Sequence, residues 1–458
     1  MRNKRTKQIL LWVSVALAAL LAVYGVLRFA FSIDVLDQSG WNTKKGYVRY
    51  LNYWGRPLTG WQEIEGNSYY FSPDDGAMAT GWNEIDGAKY YFHEDGARAG
   101  GWLELSGNSY YLQDDGVMQT GWLQLEGQKY YLAPQDGAMA VGWLEVNGNR
   151  MYFAEDGSLQ TGWQTLDGKL YYLTPEGTAV SGWVELDGVR YQFADDGSAV
   201  TGWFEDDSGR YFFGEDGKPQ SGWLDWEQKR YYLNADGSVT TGWMEDGVER
   251  YYFLPSGRMA IGEVEIDGVS RFFTSKGKEV LMCNPWHPVP ADYAPEMVAV
   301  EGKMFASSAK EPLEKMLAAG REEGLVLGIN NSYRSISHQQ GLWNNKVATL
   351  MEEGLSKEQA EKMAGTSIAI PGHSEHQTGL AFDINSGYRV YEWLGEHCWE
   401  YGFILRYPED KISITGIIYE PWHFRYVGEE LSLELKELGL CMEEYMSQLT
   451  AQQKLIAD

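Results

Sequence analysis

Gly101-Trp102-Leu103-Glu104-Leu105-Ser106-Gly107-Asn108-Ser109-Tyr110-Tyr111-Leu112 reads as a β-hairpin. Apolar residues alternate with polar ones on both sides of a glycine-containing turn, and both arms are rich in aromatic and aliphatic side chains. Asp115-Gly116 then turns the chain into a further copy of the same frame. Gly-Trp recurs at Trp41, Trp61, Trp82, Trp102, Trp122, Trp143, Trp163, Trp183, Trp203, Trp223 and Trp243, a period of twenty residues with two steps of twenty-one. Such a period marks a stacked array. A two-stranded hairpin is marginal alone, so each unit must bury its Trp and Tyr faces on its neighbours, and an elongated β-hairpin solenoid of about 20-residue repeats is expected over residues 40–283. Its last unit is degraded, with Gly262-Glu263 for Gly-Trp and Arg271-Phe272-Phe273 for the Tyr pair, as befits a cap.

At 458 residues the chain is too long for one ordinary domain. Its formal charge of -27 opposes polyanions, so no nucleic-acid partner is expected. The three cysteines, Cys283, Cys398 and Cys441, form no C-x-x-C pair and allow at most one disulfide. Upstream of the array, Arg2, Lys4, Arg5 and Lys7 precede an uncharged, mostly apolar run from Ile9 to Leu27. As a helix this run would nearly match a bilayer's hydrocarbon thickness, which predicts a transmembrane anchor within residues 1–39. The basic flank would stay in the cytoplasm and everything after Phe31 would lie outside the cell membrane. A cleaved signal peptide is the competing expectation; Arg28-Phe29-Ala30-Phe31 offers no good cleavage site, although Ala16 to Ala22 keeps it open.

Downstream, Cys283-Asn284-Pro285-Trp286-His287-Pro288-Val289-Pro290 reads as a junction into a separate domain over 284–458. Glu311–Glu323 has helical spacing, Gly324–Ile329 reads as a buried strand ending at Asn330-Asn331, and a second helix is expected around His338–Met351. Glu429–Leu455 should close the domain as helix. Six of the seven histidines lie after residue 280. Pro371-Gly372-His373-Ser374-Glu375-His376-Gln377-Thr378-Gly379-Leu380-Ala381-Phe382-Asp383, taken with Glu420-Pro421-Trp422-His423, supplies imidazoles and carboxylates suited to one catalytic Zn2+. His376, Asp383 and His423 would make three ligands with a fourth position open for water, leaving Glu420 to handle the proton.

Ser332-x-Arg334-Ser335-x-x-x-Gln339, Ser374-x-His376-x-x-Gly379-x-Ala381-x-Asp383 and Glu420-x-Trp422-His423 resemble the three blocks of the VanY-type zinc D-alanyl-D-alanine carboxypeptidases, in the family's order, from about Asn284 through Tyr445. The resemblance implies an α+β zinc peptidase domain that removes the terminal D-alanine from peptidoglycan stem peptides. It selects His376 over His373 through the His-x6-Asp spacing, implies that Arg334 partners the polarised carbonyl or the substrate carboxylate, and places Gln339 and Ser374 near substrate. The family also includes enzymes that cut tetrapeptides, so L,D-cleavage is the alternative to the expected D,D-cleavage. From a different class, a non-catalytic wall-binding adhesin is the rival.

The repeats resemble choline-binding, glucan-binding and toxin-type cell-wall repeats, with ligand-binding candidates at Trp82, Trp102, Trp122, Trp143, Trp163, Trp183, Trp203 and Trp223. Choline-binding repeats commonly carry a Trp before the Tyr pair, where this chain has Ser68, Lys89, Ser109, Lys129, Arg150, Leu170, Arg190, Arg210, Arg230 and Arg250. Part of a cation cage is thereby missing, and Lys or Arg at its mouth opposes a quaternary ammonium. The expected partner is a cell-wall polysaccharide or other wall polymer, with choline binding or a pure spacer role for the repeats as alternatives, on a chain anchored in the membrane and associated with the wall.

Overall fold

The computed structural model describes residue 8 and residues 11–24, 38–384 and 387–456. Two compact units emerge: Met1–Glu185 with Tyr191–Val200, and Leu186–Arg190 with Thr201–Asp458.

In the first unit the repeat is a hairpin. Gly101–Leu105 pairs antiparallel with Asn108–Leu112, Trp102 opposite Tyr111 and Leu105 opposite Asn108. Ser106 (φ 52°) and Gly107 (φ 83°) between them are both left-handed. That is the type I′ turn, whose twist matches the strands it joins. The chain then doubles back: Met118 bridges Leu112 and its amide donates to the Lys89 carbonyl of the preceding hairpin at 2.8 Å. Met139 repeats the link to Ser109 at 2.8 Å. Each hairpin is therefore hydrogen-bonded to the one before, which relieves the instability of an isolated pair of strands. From the second hairpin on, the last residue of the second strand, Phe71, Phe92, Leu112, Leu132, Phe153 and Leu173, is fully buried. Each contributes about 1.5–3 kcal/mol of apolar burial to a core that no single unit could enclose.

The second unit carries the last hairpins and the C-terminal domain. Gly262–Ile266 pairs with Val269–Phe273, and Glu279–Val280 adds a third strand. This degraded unit ends the array against the C-terminal helix Met442–Leu455. The Glu263 amide donates to Thr450 Oγ1 at 2.7 Å and the Ile261 amide to Gln453 Oε1 at 2.7 Å. Gly262 (φ 69°) lets the helix in, since a Cβ there would sit 2.4 Å from the Thr450 nitrogen.

The C-terminal domain is α+β. Its four-stranded antiparallel sheet runs in the order Ile329–Asn331, Ala381–Ile384, His423–Tyr426, Phe403–Leu405. Helix Ser307–Glu322 buries Leu313, Met316 and Leu317 in a core with Phe382, Phe403 and Phe424. Helix Ile336–Glu352, capped by the Ser335 side chain, covers the expected second helix. Two expectations need correction. The strand expected over Gly324–Ile329 is confined to Ile329–Asn331, and Val326 is 85% exposed. Gly324 (φ 77°) ends the preceding helix, and this edge strand pairs only at Ile384 and Asp383, so nothing extends the ladder backwards. The closing helix is two helices, Glu429–Leu438 and Met442–Leu455, broken at left-handed Gly439 (φ 67°). All three cysteines are buried and free.

The expected membrane span falls partly outside the described residues, which exclude Ile9, Leu10 and 25–27; residues 11–24 are helical with Leu11, Trp12 and Leu20 exposed. Among the described residues no helix is long and apolar enough to cross a membrane.

Candidate metal centre

Asp383 and His423 are direct partners on adjacent strands, so the sheet pleat sends both side chains to one face. His376 reaches the same point from a short 3-10 helix, Glu375–Thr378, that precedes the Ala381–Ile384 strand. That helix starts at Ser374, whose amide and that of Gly372 both donate to Gln377 Oε1. It stops at Gly379 (φ 70°), where a Cβ would lie 2.8 Å from the Ala306 nitrogen. The small residues of the motif thus bring backbone close to backbone and hold the imidazole against the sheet.

One ligand atom from each of His376, Asp383 and His423 falls within 4.8 Å of the others, and all three residues are buried. His376 Nδ1 lies 2.8 Å from the Ser332 carbonyl, to which it donates, leaving the Nε2 lone pair facing Asp383 Oδ2 at 3.3 Å. His423 presents Nδ1 to Asp383 Oδ1 at 2.9 Å, with Glu420 Oε2 at 3.8 Å. The Asp383 Oδ2 atom also accepts from Asn331 Nδ2 at 2.7 Å and Arg334 Nη2 at 3.3 Å.

Electrostatics separates the roles. Burial raises the Asp383 carboxyl, but hydrogen bonds from His376 and His423 outweigh it and hold the group well below the usual carboxylate range. Burial pushes His376 down towards the neutral form. His423 is raised to about 9, because its hydrogen bonds to Asp383 and Glu375 overcome burial. Glu420 is raised, chiefly by burial, which moves a carboxylate towards the pKa a general base needs near neutrality.

Arg334 is fixed at both ends, by its amide to the His376 carbonyl at 3.0 Å and by its guanidinium to Asp383 and to Gln339 Oε1 at 3.3 Å. Gln339 is fully buried and donates to the Ala369 carbonyl at 2.7 Å, so it supports Arg334 from behind. Ser374 is buried beside His376. His373 turns away, its Nδ1 lying 2.9 Å from the Asn284 carbonyl.

Sequence reasoning missed the charges behind the ligands. Glu375, Arg406 and Arg425 are all at least 98% buried. Glu375 Oε1 accepts from Arg406 Nε at 2.8 Å and Arg425 Nη1 at 3.0 Å, and its Oε2 faces His423 Nε2 at 3.6 Å. Arg406 also forks onto Glu443, at 2.6 and 3.0 Å. The position of Glu375 between Ser374 and His376 was the one available signal; its partners, 31 and 50 residues away, are joined to it only by the fold.

In the repeats, Trp102 lies edge-on to Tyr111 of its own hairpin and Tyr130 of the next, at 5.2 and 5.1 Å, and is 40% exposed. Trp82 shares this setting, whereas Trp122 is edge-on to Tyr131 of its own hairpin and meets Phe153 of the next at 6.2 Å. Arginine guanidinium carbons lie over the rings of Trp143, Trp203 and Trp223, at 4.3, 4.0 and 4.8 Å. Among the described residues no cation lies over Trp82, Trp102, Trp122 or Trp163.

A buried His-Asp-His cluster with an adjacent desolvated glutamate on an antiparallel sheet has the donor set of a zinc centre. The family model of VanY, D-alanyl-D-alanine carboxypeptidase, matches residues 302–429. Choline-binding repeat models match 79–113, 99–142 and 140–179, and a cell wall binding repeat matches 59–78 and 201–218. A D-alanyl-D-alanine carboxypeptidase of Enterococcus faecalis is 39% identical over 37% of this chain and 65% of its own length. The bifunctional D-Ala-D-Ala dipeptidase and carboxypeptidase VanXYC of Enterococcus gallinarum is 34% identical over 35% of this chain and 84% of its own. A solved VanY D,D-pentapeptidase variant in complex with Zn(II) is 39% identical, covering 36% of this chain and 97% of that one, with a TM-score of 0.35. The chain belongs to the VanY D-alanyl-D-alanine carboxypeptidase family, and carries choline-binding cell-wall repeats before that domain. It spans about two thirds of the Enterococcus faecalis relative.

Proposed function

We propose that the chain is a zinc-dependent D,D-carboxypeptidase that removes the C-terminal D-alanine of peptidoglycan stem peptides, held at the wall by its repeats. The observation that carries this reading is the meeting of His376, Asp383 and His423 within 4.8 Å, with Glu420 beside them. The donor set suits zinc: two imidazole nitrogens and one carboxylate. The His376 Nδ1 proton is engaged by Ser332, while the buried His423 Nε2 faces Glu375 Oε2 at 3.6 Å. This leaves Nε2 of His376 and Nδ1 of His423 free to point at a metal, each backed by an orienting oxygen. Zinc, when bound by these three residues, supplies Lewis acidity to water and to the scissile carbonyl.

The remaining chemistry belongs to the protein. Glu420 takes a proton from water and returns it to the leaving amine, so peptide and water become a shortened peptide and D-alanine. Arg334, pre-positioned by Gln339, offers a planar fork to the substrate's carbonyl or terminal carboxylate. The family's described specificity supports the D,D-bond. The basic residues ahead of Ile9–Leu27 support a membrane anchor with the wall-facing domains outside. In the repeats, the open faces of Trp82, Trp102 and Trp122 support stacking of a wall polymer.

The test is release of D-alanine from pentapeptide stems: chelation should abolish it and zinc restore it. Glu420→Gln should lower kcat by about 10²–10⁴-fold with zinc still bound. Full activity in that variant would overturn the assigned proton transfer.

A further inference from the structure

Two residues stand out close to one another in the second unit, Trp226 by its type and Arg258 by its setting. Trp226 ends the first strand of hairpin Gly222–Leu233, where other units have residues such as Leu105, Val146 or Asp246. Arg258 follows a turn glycine, Gly257, at a position that other units fill with Ala77, Ala97, Val117 or Ser158 and also with Arg56, Lys218 and Lys278; Lys218 and Lys278 differ from it in being ion-paired. Arg258 is only 6% exposed, yet its Nε and Nη1 have no hydrogen-bond partner, and among the described residues no carboxylate pairs with it. A buried guanidinium with unmet donors costs stability. Such an arrangement is expected where the missing partner is a ligand.

Arg258 lines a cleft of about 600 Å³ with Trp203, Trp226, Tyr231, Arg210 and Lys229. The two indoles differ in what they offer. Arg210 lies over the Trp203 ring at 4.0 Å, so that face is taken by the protein's own cation. Trp226 packs edge-on against Phe212 at 5.2 Å and Trp203 at 6.5 Å, remains 39% exposed, and has no cation over it among the described residues. The charge is equally distinctive. In a chain of formal charge -27, this cleft sets, among the described residues, three cations, Arg210, Lys229 and Arg258, against one carboxylate, Glu227. That balance repels a quaternary ammonium and attracts an anion.

We propose that this cleft binds an anionic saccharide, its ring stacked on Trp226 and its phosphate or carboxylate paired with Arg258. With Nε and Nη1 buried, the guanidinium offers its remaining nitrogen, Nη2, and its full charge to either anion, and an indole provides a rigid apolar face for the sugar. The cleft would engage the acidic component of a wall polymer independently of the peptide bond cut at the metal centre.

The test is calorimetric titration of the full chain with glucose 6-phosphate, glucuronate and glucose, which separates the phosphate source, the carboxylate source and the neutral ring. At least one anionic sugar should bind tenfold or more tightly than glucose, and the tighter one identifies the source. Arg258→Met should erase that advantage while leaving the thermal midpoint unchanged or higher and D-alanine release unaltered. Arg258→Lys should keep part of the advantage, and Trp226→Ala should weaken all three sugars. Equal binding of glucose and both anions, or discrimination surviving in Arg258→Met, would overturn the proposal. So would a lowered midpoint with lost discrimination in both Arg258 variants, which would make Arg258 a purely structural residue.

Discussion

Replacing Arg406 by methionine removes the hub of the charge network behind the metal centre. The Arg406 side chain is wholly buried and makes three charge-assisted bonds, one to Glu375 at 2.8 Å and two to Glu443 at 2.6 and 3.0 Å. Methionine fills similar space without a donor. Glu375 would then keep Arg425, with His423 Nε2 at 3.6 Å, and Glu443 would keep Asn284 Nδ2 at 3.1 Å. Arg425 would serve Glu375 alone, and the largely desolvated Glu443 would lose its paired cation. Breaking a buried pair from one side costs about 3–5 kcal/mol, most of it the penalty on the charge left behind. For a unit of this size that lowers the midpoint by roughly 6–20 °C. Burial alone raises both carboxyls, but the arginines outweigh it and depress them. A depressed carboxyl stabilises the fold above its unfolded pKa and loses that contribution as pH falls through the folded value. The gap between wild type and Arg406→Met should therefore be full at neutral pH and shrink on acidification below the ordinary carboxylate range. Because the chain has two compact units, scanning calorimetry of the whole protein is the suitable assay, following the transition that carries the second unit. Adding Glu443→Leu should recover part of the loss. A destabilisation below about 1 kcal/mol at pH 7 would show that the network is solvated or interchangeable, refuting the reasoning.

Glu375→Gln keeps the shape but weakens the partner of His423 Nε2; zinc affinity, measured by competition with a chromophoric chelator, should fall about 10–100-fold, and unchanged affinity would remove Glu375 from the site. For bond choice, kcat/KM on matched penta- and tetrapeptide stems should favour the pentapeptide; a clear tetrapeptide preference would replace D,D- by L,D-cleavage and leave the metal centre as described.

Periodicity made the repeats legible in the sequence. A hairpin is a local object: Ser106-Gly107, the alternation around it and the recurring Gly-Trp specify turn, register and stacking within about twenty residues. His376, Asp383, His423 and Glu420 were legible for a related reason, since a catalytic zinc demands particular residue types and His376 and Asp383 lie on one short stretch. The edge strand was misjudged because Gly324–Gly328 is apolar enough for a strand but has no neighbour with which to pair. Burial of Arg406 and Arg425 against Glu375, the fastening of Arg334 by Gln339, and the unmet guanidinium of Arg258 belong to the tertiary structure alone. Charged residues carry no periodic signal, and whether they face water or one another depends on which distant segments the sheet and helices bring together. The short-range pattern therefore determined the elements and the ligand set, while long-range packing decided which charges are desolvated and hence what they can do.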